Sequence, residues 1–215
     1  MKKIFFGLPV LLGILFFACS RSEPKIAYGS LRMVYYEEAG RRGERFSFFV
    51  LPEDDDGIED LAELYLYHDW EGLEWRLTPE DWVAIEFEGK TWVGSRSIAM
   101  ADNESLPRGQ FRAVLVDKGG EKSERIFAYD APEDSRYTFP FFSIEDGRFL
   151  VESAYPKHYL IGYDQEGNYM TTLPLTVLEG AVAELNLNSR VRTLALWAED
   201  DEYGTAALTG IVPLR

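Results

Sequence analysis

Two histidines, one cysteine and several runs of acids are the residues of this 215-residue chain with the plainest chemical uses. His68 stands beside Asp69, a pairing that can orient an imidazole for acid–base work, and His158 is the second histidine. No Gly-x-Ser-x-Gly elbow supplies a nucleophile for either. His68 is therefore read as a strand-end residue and His158 as an exposed one. Asp54-Asp55-Asp56-Gly57 has the composition of a calcium loop. Placing Gly57 on the EF-hand glycine puts Pro52 at the first ligand position, where an oxygen ligand is required, so that pattern fails. Irregular calcium sites from Glu53, Asp54 and Asp56, or from Glu199, Asp200 and Asp201, are the rival to reading these runs as solvated acidic loops. The 37 acids offer many carboxylate pairs for glycoside hydrolysis, yet sequence fixes the separation of none. No Gly-rich phosphate cradle occurs, and neither a cofactor nor a metal is expected.

The aromatic residues carry more information. Five Trp, twelve Tyr and fourteen Phe make up 14% of the chain. Trp75 and Trp197 lie in alternating segments and are read as core. Trp70 falls in the polar turn His68-Asp69-Trp70-Glu71-Gly72, and Trp82 and Trp92 flank another turn. These three are the candidate ligand surface, because a partly exposed Trp–Tyr platform can stack on sugar rings or anchor a protein partner. The competing reading has them covering the ends of a sandwich.

One cysteine can form neither an internal disulfide nor a zinc cluster. Its position is informative instead. Met1-Lys2-Lys3 is a basic start, and residues 4–18 form an uninterrupted apolar run ending in Phe16-Phe17-Ala18-Cys19, followed by polar Ser20-Arg21-Ser22-Glu23. Fifteen apolar residues, with Pro9 and two glycines among them, suit a signal peptide better than a spanning helix of about 20 residues. A small residue directly before the lone cysteine resembles a bacterial lipobox. The lipobox pattern prefers Leu where Phe16 stands and a small residue where Phe17 stands. Bulky residues at these positions are typical of spirochaetal lipoproteins. The resemblance implies cleavage between Ala18 and Cys19 and acyl chains on Cys19 that hold the protein to a membrane. Two or more chains suffice for stable anchoring.

The whole chain has a net charge of −15; loss of residues 1–18 removes two lysines and leaves −17. So acidic a body is repelled by phosphate backbones and by anionic lipid, which argues against nucleic acid as a partner and assigns anchoring to the lipid. At 46% hydrophobic residues the chain is too apolar to be disordered.

The elements that must position these residues read as strands, because period-two alternation recurs. Leu31/Met33/Tyr35, Phe46/Phe48/Val50, Leu64/Leu66, Leu73/Trp75/Leu77, Val83/Ile85/Phe87, Phe111/Ala113/Leu115 and Ile126/Ala128 each share a face. Further strands are expected over 148–155, 158–163, 169–173, 181–187, 191–198 and 205–214, with a hairpin turn at 164–168. Thr78-Pro79-Glu80-Asp81-Trp82 is read as one helical turn. The polar stretch 130–136 is the best boundary. It divides the chain into a signal peptide (1–18), a lipidated tether (19–25), a first β-sandwich domain (26–131) and a smaller second one (136–215), the smaller packed on the larger. One continuous sandwich is the rival arrangement.

Leu106-Pro107-Arg108-Gly109-Gln110-Phe111, followed by alternating apolar residues to Asp117, is similar to the late hairpin of fibronectin-III and related immunoglobulin-like modules. Together with Gly72–Pro79, Leu194–Asp200 and the lipobox, it resembles uncharacterised spirochaetal (treponeme-type) lipoproteins. The expectation is an all-β protein of two antiparallel immunoglobulin/fibronectin-III-like β-sandwich units. Its expected role is non-enzymatic: binding, interaction or assembly at the bacterial cell envelope, with an envelope protein or a glycan as partner. The alternatives are a carbohydrate-binding module built on exposed Trp and Tyr, and a carboxylate-based hydrolase.

Overall fold

The alternating segments fold into strands, and the computed structural model describes residues 22–101, 104–129 and 137–214. The lipobox residues Ala18 and Cys19 and the boundary at 130–136 lie outside the described residues. In chain order the strands are β1 (Lys25–Glu38), β2 (Arg41–Glu53), β3 (Leu61–His68), β4 (Leu73–Leu77), β5 (Val83–Phe87), β6 (Lys90–Ile98), β7 (Gly109–Asp117) and β8 (Lys122–Tyr129). They continue with β9 (Phe141–Glu145), β10 (Arg148–Glu152), β11 (Lys157–Tyr163), β12 (Tyr169–Pro174), β13 (Glu179–Ala181), β14 (Thr193–Asp200), β15 (Thr205–Leu208) and β16 (Val212–Pro213). The protein is all-β, with no α-helix among the described residues.

One long sheet underlies both halves of the chain. Its order is β12-β11-β14-β15-β1-β2-β6-β5, with β16 also paired to β14. β1 is the seam: it pairs antiparallel with β2 on one side and parallel with β15 on the other, Met33 lying opposite Thr205 and Tyr36 opposite Leu208. That parallel pairing departs from the purely antiparallel expectation. It arises because the last third of the chain returns to extend the sheet begun by the first hairpin. The remaining strands form two smaller antiparallel sheets, β4-β3-β7-β8 and β13-β10-β9.

Two cores result. In the first, Met33, Phe46, Phe48 and Val50 of the long sheet cluster with Leu64, Leu66, Phe111 and Leu115 of the four-stranded sheet. Phe46 and Phe111 meet edge-to-face at 5.1 Å, an arrangement that adds specificity to the burial of two large rings. In the second, Leu160, Leu194 and Leu196 of the long sheet cluster with Phe142, Phe149 and Val151. A smaller cluster of Tyr155, Ala198 and Ala207, joined by Tyr35 of β1 and by Phe139, lies between them. The packing between β2 and β6 is close enough that a Cβ at Gly94 would sit 2.0 Å from the Phe48 carbonyl oxygen.

Several local expectations change. The segment expected as a strand over 181–187 is instead the end of β13 followed by a 3-10 turn, Val182–Leu185. With three residues per turn, that conformation places Val182 and Leu185 on one side, and both pack on the second core. Two strands absent from the sequence reading are β6 and β9. β6 carries the polar run Ser95-Arg96-Ser97 across a register shift, which hides its alternation. β9 enters the hairpin turn Asp146-Gly147, where φ is +48° and +72°, a two-residue turn of the kind Asp-Gly favours. Residues 78–82 form one turn as expected, with the Trp82 N–H donating to the Thr78 carbonyl at 3.0 Å. Its cap is reversed: the Asp81 carboxylate accepts from the Thr78 N–H at 3.1 Å and from its hydroxyl at 2.7 Å.

Candidate ligand-binding groove

Period-two alternation gives the long sheet a second face, turned away from both cores. On β1, Leu31, Met33 and Tyr35 turn inward, and Ser30, Arg32 and Val34 line the other side. On β2, Phe46, Phe48 and Val50 turn inward and Arg45, Ser47 and Phe49 outward. β11 contributes Tyr159, Ile161 and Tyr163, β14 Trp197 and Glu199, β6 Trp92 and Arg96, and β5 Ile85 and Phe87. These side chains enclose an open groove of about 700 Å³, within the size range of small-ligand clefts.

The groove crosses the sheet. Four strand steps separate β11 from β2, a distance of about 19 Å at the ordinary spacing of strands. Yet Tyr163 of β11 and Arg45 of β2 line the same cavity. Burial pushes the Tyr163 phenol up, and the charges of Arg45 and Arg96 partly offset that rise. The twist of the sheet and the reach of these long side chains bring both residues to the lining of one groove.

The register places the key side chains. Trp92 lies opposite Ile85 on the neighbouring strand, and Trp197 lies between Tyr159 and Leu208. Arg45 is opposite Val34, and Arg96 sits in the irregular stretch where Phe48 faces Ser95 and Phe46 faces Ile98. The Trp197 indole N–H donates to Glu199 at 2.7 Å. Glu199 also accepts from Arg32, whose other terminal nitrogen donates to Asp201 at 2.6 Å, and Lys157 pairs with Asp201 in turn. Glu199 is thus bound to the groove wall by its own neighbours. Arg45 differs: its guanidinium lies 4.9 Å from the centre of the Tyr36 ring, and neither it nor Arg96 pairs with an acid among the described residues. The Arg45 Nε and the Trp92 Nε1 are both buried and have no hydrogen-bond partner among the described residues. A buried donor left unpaired costs about 1–3 kcal/mol.

Of the three tryptophans proposed from sequence as a ligand surface, the structure places only Trp92 in the groove. Trp82 is half-buried and packs on the first core, and Trp70 stands at the tip of the β3–β4 turn, 93% exposed. Trp75 packs on the core as expected, its indole N–H donating to the Ala99 carbonyl at 3.0 Å. Trp197, expected in the core, instead lines the groove, because odd-numbered residues of β14 face outward. The sequence reading gave none of Arg32, Arg45 and Arg96 a functional role. The signal that could have found them is the run Phe46-Ser47-Phe48-Phe49-Val50-Leu51, which is apolar at both parities and so marks a strand covered on both faces.

The other chemical candidates have structural occupations. His68 ends β3 as expected; it is buried, its Nε2 lies 3.0 Å from the Arg108 carbonyl, and its ring centre is 4.8 Å from that of Phe111. His158 is half-buried rather than exposed. It shares the inward parity of Leu160, and burial depresses its pKa. The Asp54 carboxylate accepts the Asp56 N–H at 2.9 Å and the Ser22 hydroxyl at 3.3 Å, which shapes the acidic loop. Asp200 accepts from the Tyr137 hydroxyl. Among the described residues no group of three or more His, Cys, Asp and Glu is placed to hold a metal ion.

No protein-family profile matches the chain, and no curated protein matches it. Among solved structures it is similar to a chain described as "Biofilm associated protein - BSP domain", at 14% identity and a TM-score of 0.26, over 78% of this chain. The match spans 26% of that chain, about a quarter of its length.

Proposed function

We propose that this is a lipid-anchored protein of the bacterial cell envelope that captures a ligand in the groove of its long sheet and carries out no chemistry on it. The observation that carries the reading is the groove itself: Trp92, Trp197, Tyr159 and Tyr163 line one cleft together with Arg45 and Arg96. A binding role is supported over a hydrolytic one by the carboxylates. Glu199 is the single acid lining the groove among the described residues, and it is already engaged by Arg32 and Trp197. A carboxylate mechanism needs two acids flanking the bond that breaks. The anchor is supported by the lipobox-like Phe16-Phe17-Ala18-Cys19. We read residues 26–131 and 136–215 as two sandwich units that share the long sheet, so that the groove exists only when both are folded.

The test is an array of neutral and acidic oligosaccharides probed with the full chain in detergent. Trp197→Ala is expected to abolish the array signal and Trp70→Ala to retain it. Loss of signal on Trp70→Ala, with Trp197→Ala unaffected, contradicts the groove.

A further inference from the structure

Charge and shape together narrow the ligand. Arg45 and Arg96 are groove cations that no described acid neutralises, on a chain whose net charge is −15. A local pair of guanidinium groups on so acidic a body is matched by a compact anion rather than a long polyanion, which the whole molecule would repel at distance. Guanidinium forks suit a carboxylate, which they can hold by two parallel hydrogen bonds. The same walls hold indole and phenol rings and the hydroxyls of Ser30, Ser47 and Thr172. A sugar ring presents both an apolar C–H face and a hydroxyl edge, whereas an acyl chain offers nothing to the hydroxyls or the guanidinium groups.

We propose that the groove binds a short acidic saccharide, its carboxylate held between Arg45 and Arg96 and its rings laid against Trp92 and Trp197. This rests on the groove being the binding site. In this arrangement the terminal guanidinium nitrogens of Arg45 and Arg96 donate to the carboxylate, and the indole faces of Trp92 and Trp197 take the C–H face of the sugar. Tyr163 lines the same groove, and the charges of both arginines reach its phenol.

The experiment is calorimetric titration of the full chain in detergent with a trisaccharide carrying one glucuronate, and with the same trisaccharide after reduction of its carboxyl to a primary alcohol. The expected result is binding of the acid form, weakened about tenfold or more by carboxyl reduction, by Arg45→Gln and by Arg96→Gln, and weakened by added salt. Arg96 is exposed, so Arg96→Gln leaves the fold intact and keeps the test decisive if Arg45→Gln does not fold. Equal affinity for both sugars, or for wild type and Arg96→Gln, overturns the acidic specificity while the groove stands. Binding of neither sugar overturns the saccharide assignment. Binding of both with no effect of Trp197→Ala overturns the groove.

Discussion

The indole N–H of Trp197 donates to Glu199 two residues away on the same strand, at 2.7 Å, and Arg32 reaches across from β1 to the same carboxylate. One acid thereby fixes the tilt of a groove tryptophan and ties the C-terminal half of the sheet to the seam strand. An aromatic wall held in one orientation loses less freedom on binding than a mobile one.

Glu199→Ala removes the acceptor of both donors. The expected cost is about 1–3 kcal/mol of stability, together with weaker binding in the groove. Urea unfolding followed by tryptophan emission measures the first, and an unchanged midpoint would show that the contact is idle.

His158 sets a pH dependence. Burial depresses its pKa in the folded chain below the ordinary 6.5, so the folded state keeps it neutral while the unfolded state takes up a proton. Stability is therefore fully present above about pH 6.5 and falls as pH drops through the folded value. The carboxylates of Asp201, held low by Lys157, and Asp164, held low by Asn168, act lower still, below their ordinary 3.8. Urea midpoints of the wild type are expected to decline on going from neutral to mildly acidic pH, and those of His158→Gln to decline less. Parallel curves would remove His158 from the account.

Gly94 is a steric keystone between β2 and β6. Its Cβ position lies 2.0 Å from the Phe48 carbonyl oxygen and 2.7 Å from the Phe49 Cα, both backbone atoms that cannot swing aside. Gly94→Ala is expected to cost about 3 kcal/mol, in the upper part of the range for overpacking. Trp70→Ala, at a residue 93% exposed, is expected to stay within about 0.5 kcal/mol of wild type. Thermal melts of the two variants separate these outcomes, and a mild Gly94→Ala would mean that the two strands can part without loss.

The proposed anchor rests on Cys19. Cys19→Ala is expected to abolish labelling by a fatty-acid probe and to release the protein to the soluble fraction. Continued membrane retention would refute lipidation at this residue.

Much of the fold is legible because alternation survives wherever one face is buried and the other wet. Leu73-Glu74-Trp75-Arg76-Leu77 and the Phe111/Ala113/Leu115 face become β4 and β7 as read. The turns Ala39-Gly40 and Glu88-Gly89 close their hairpins with φ positive at both residues. The groove is less legible because it depends on how the sheet twists. Neighbours in space such as Tyr163 and Arg45 are more than a hundred residues apart in sequence, and only the β1–β15 pairing brings their strands into one sheet. Trp70 illustrates the converse: its polar turn correctly signals exposure, but exposure alone does not give a surface any neighbours to form a site with.

The decisive measurement is a structure of the full chain with the glucuronate trisaccharide bound. The carboxylate is expected within hydrogen-bonding distance of Arg45 and Arg96, and a sugar ring against Trp92 or Trp197. A sugar bound elsewhere, at the Trp70 turn for instance, with the groove empty, would contradict the assignment.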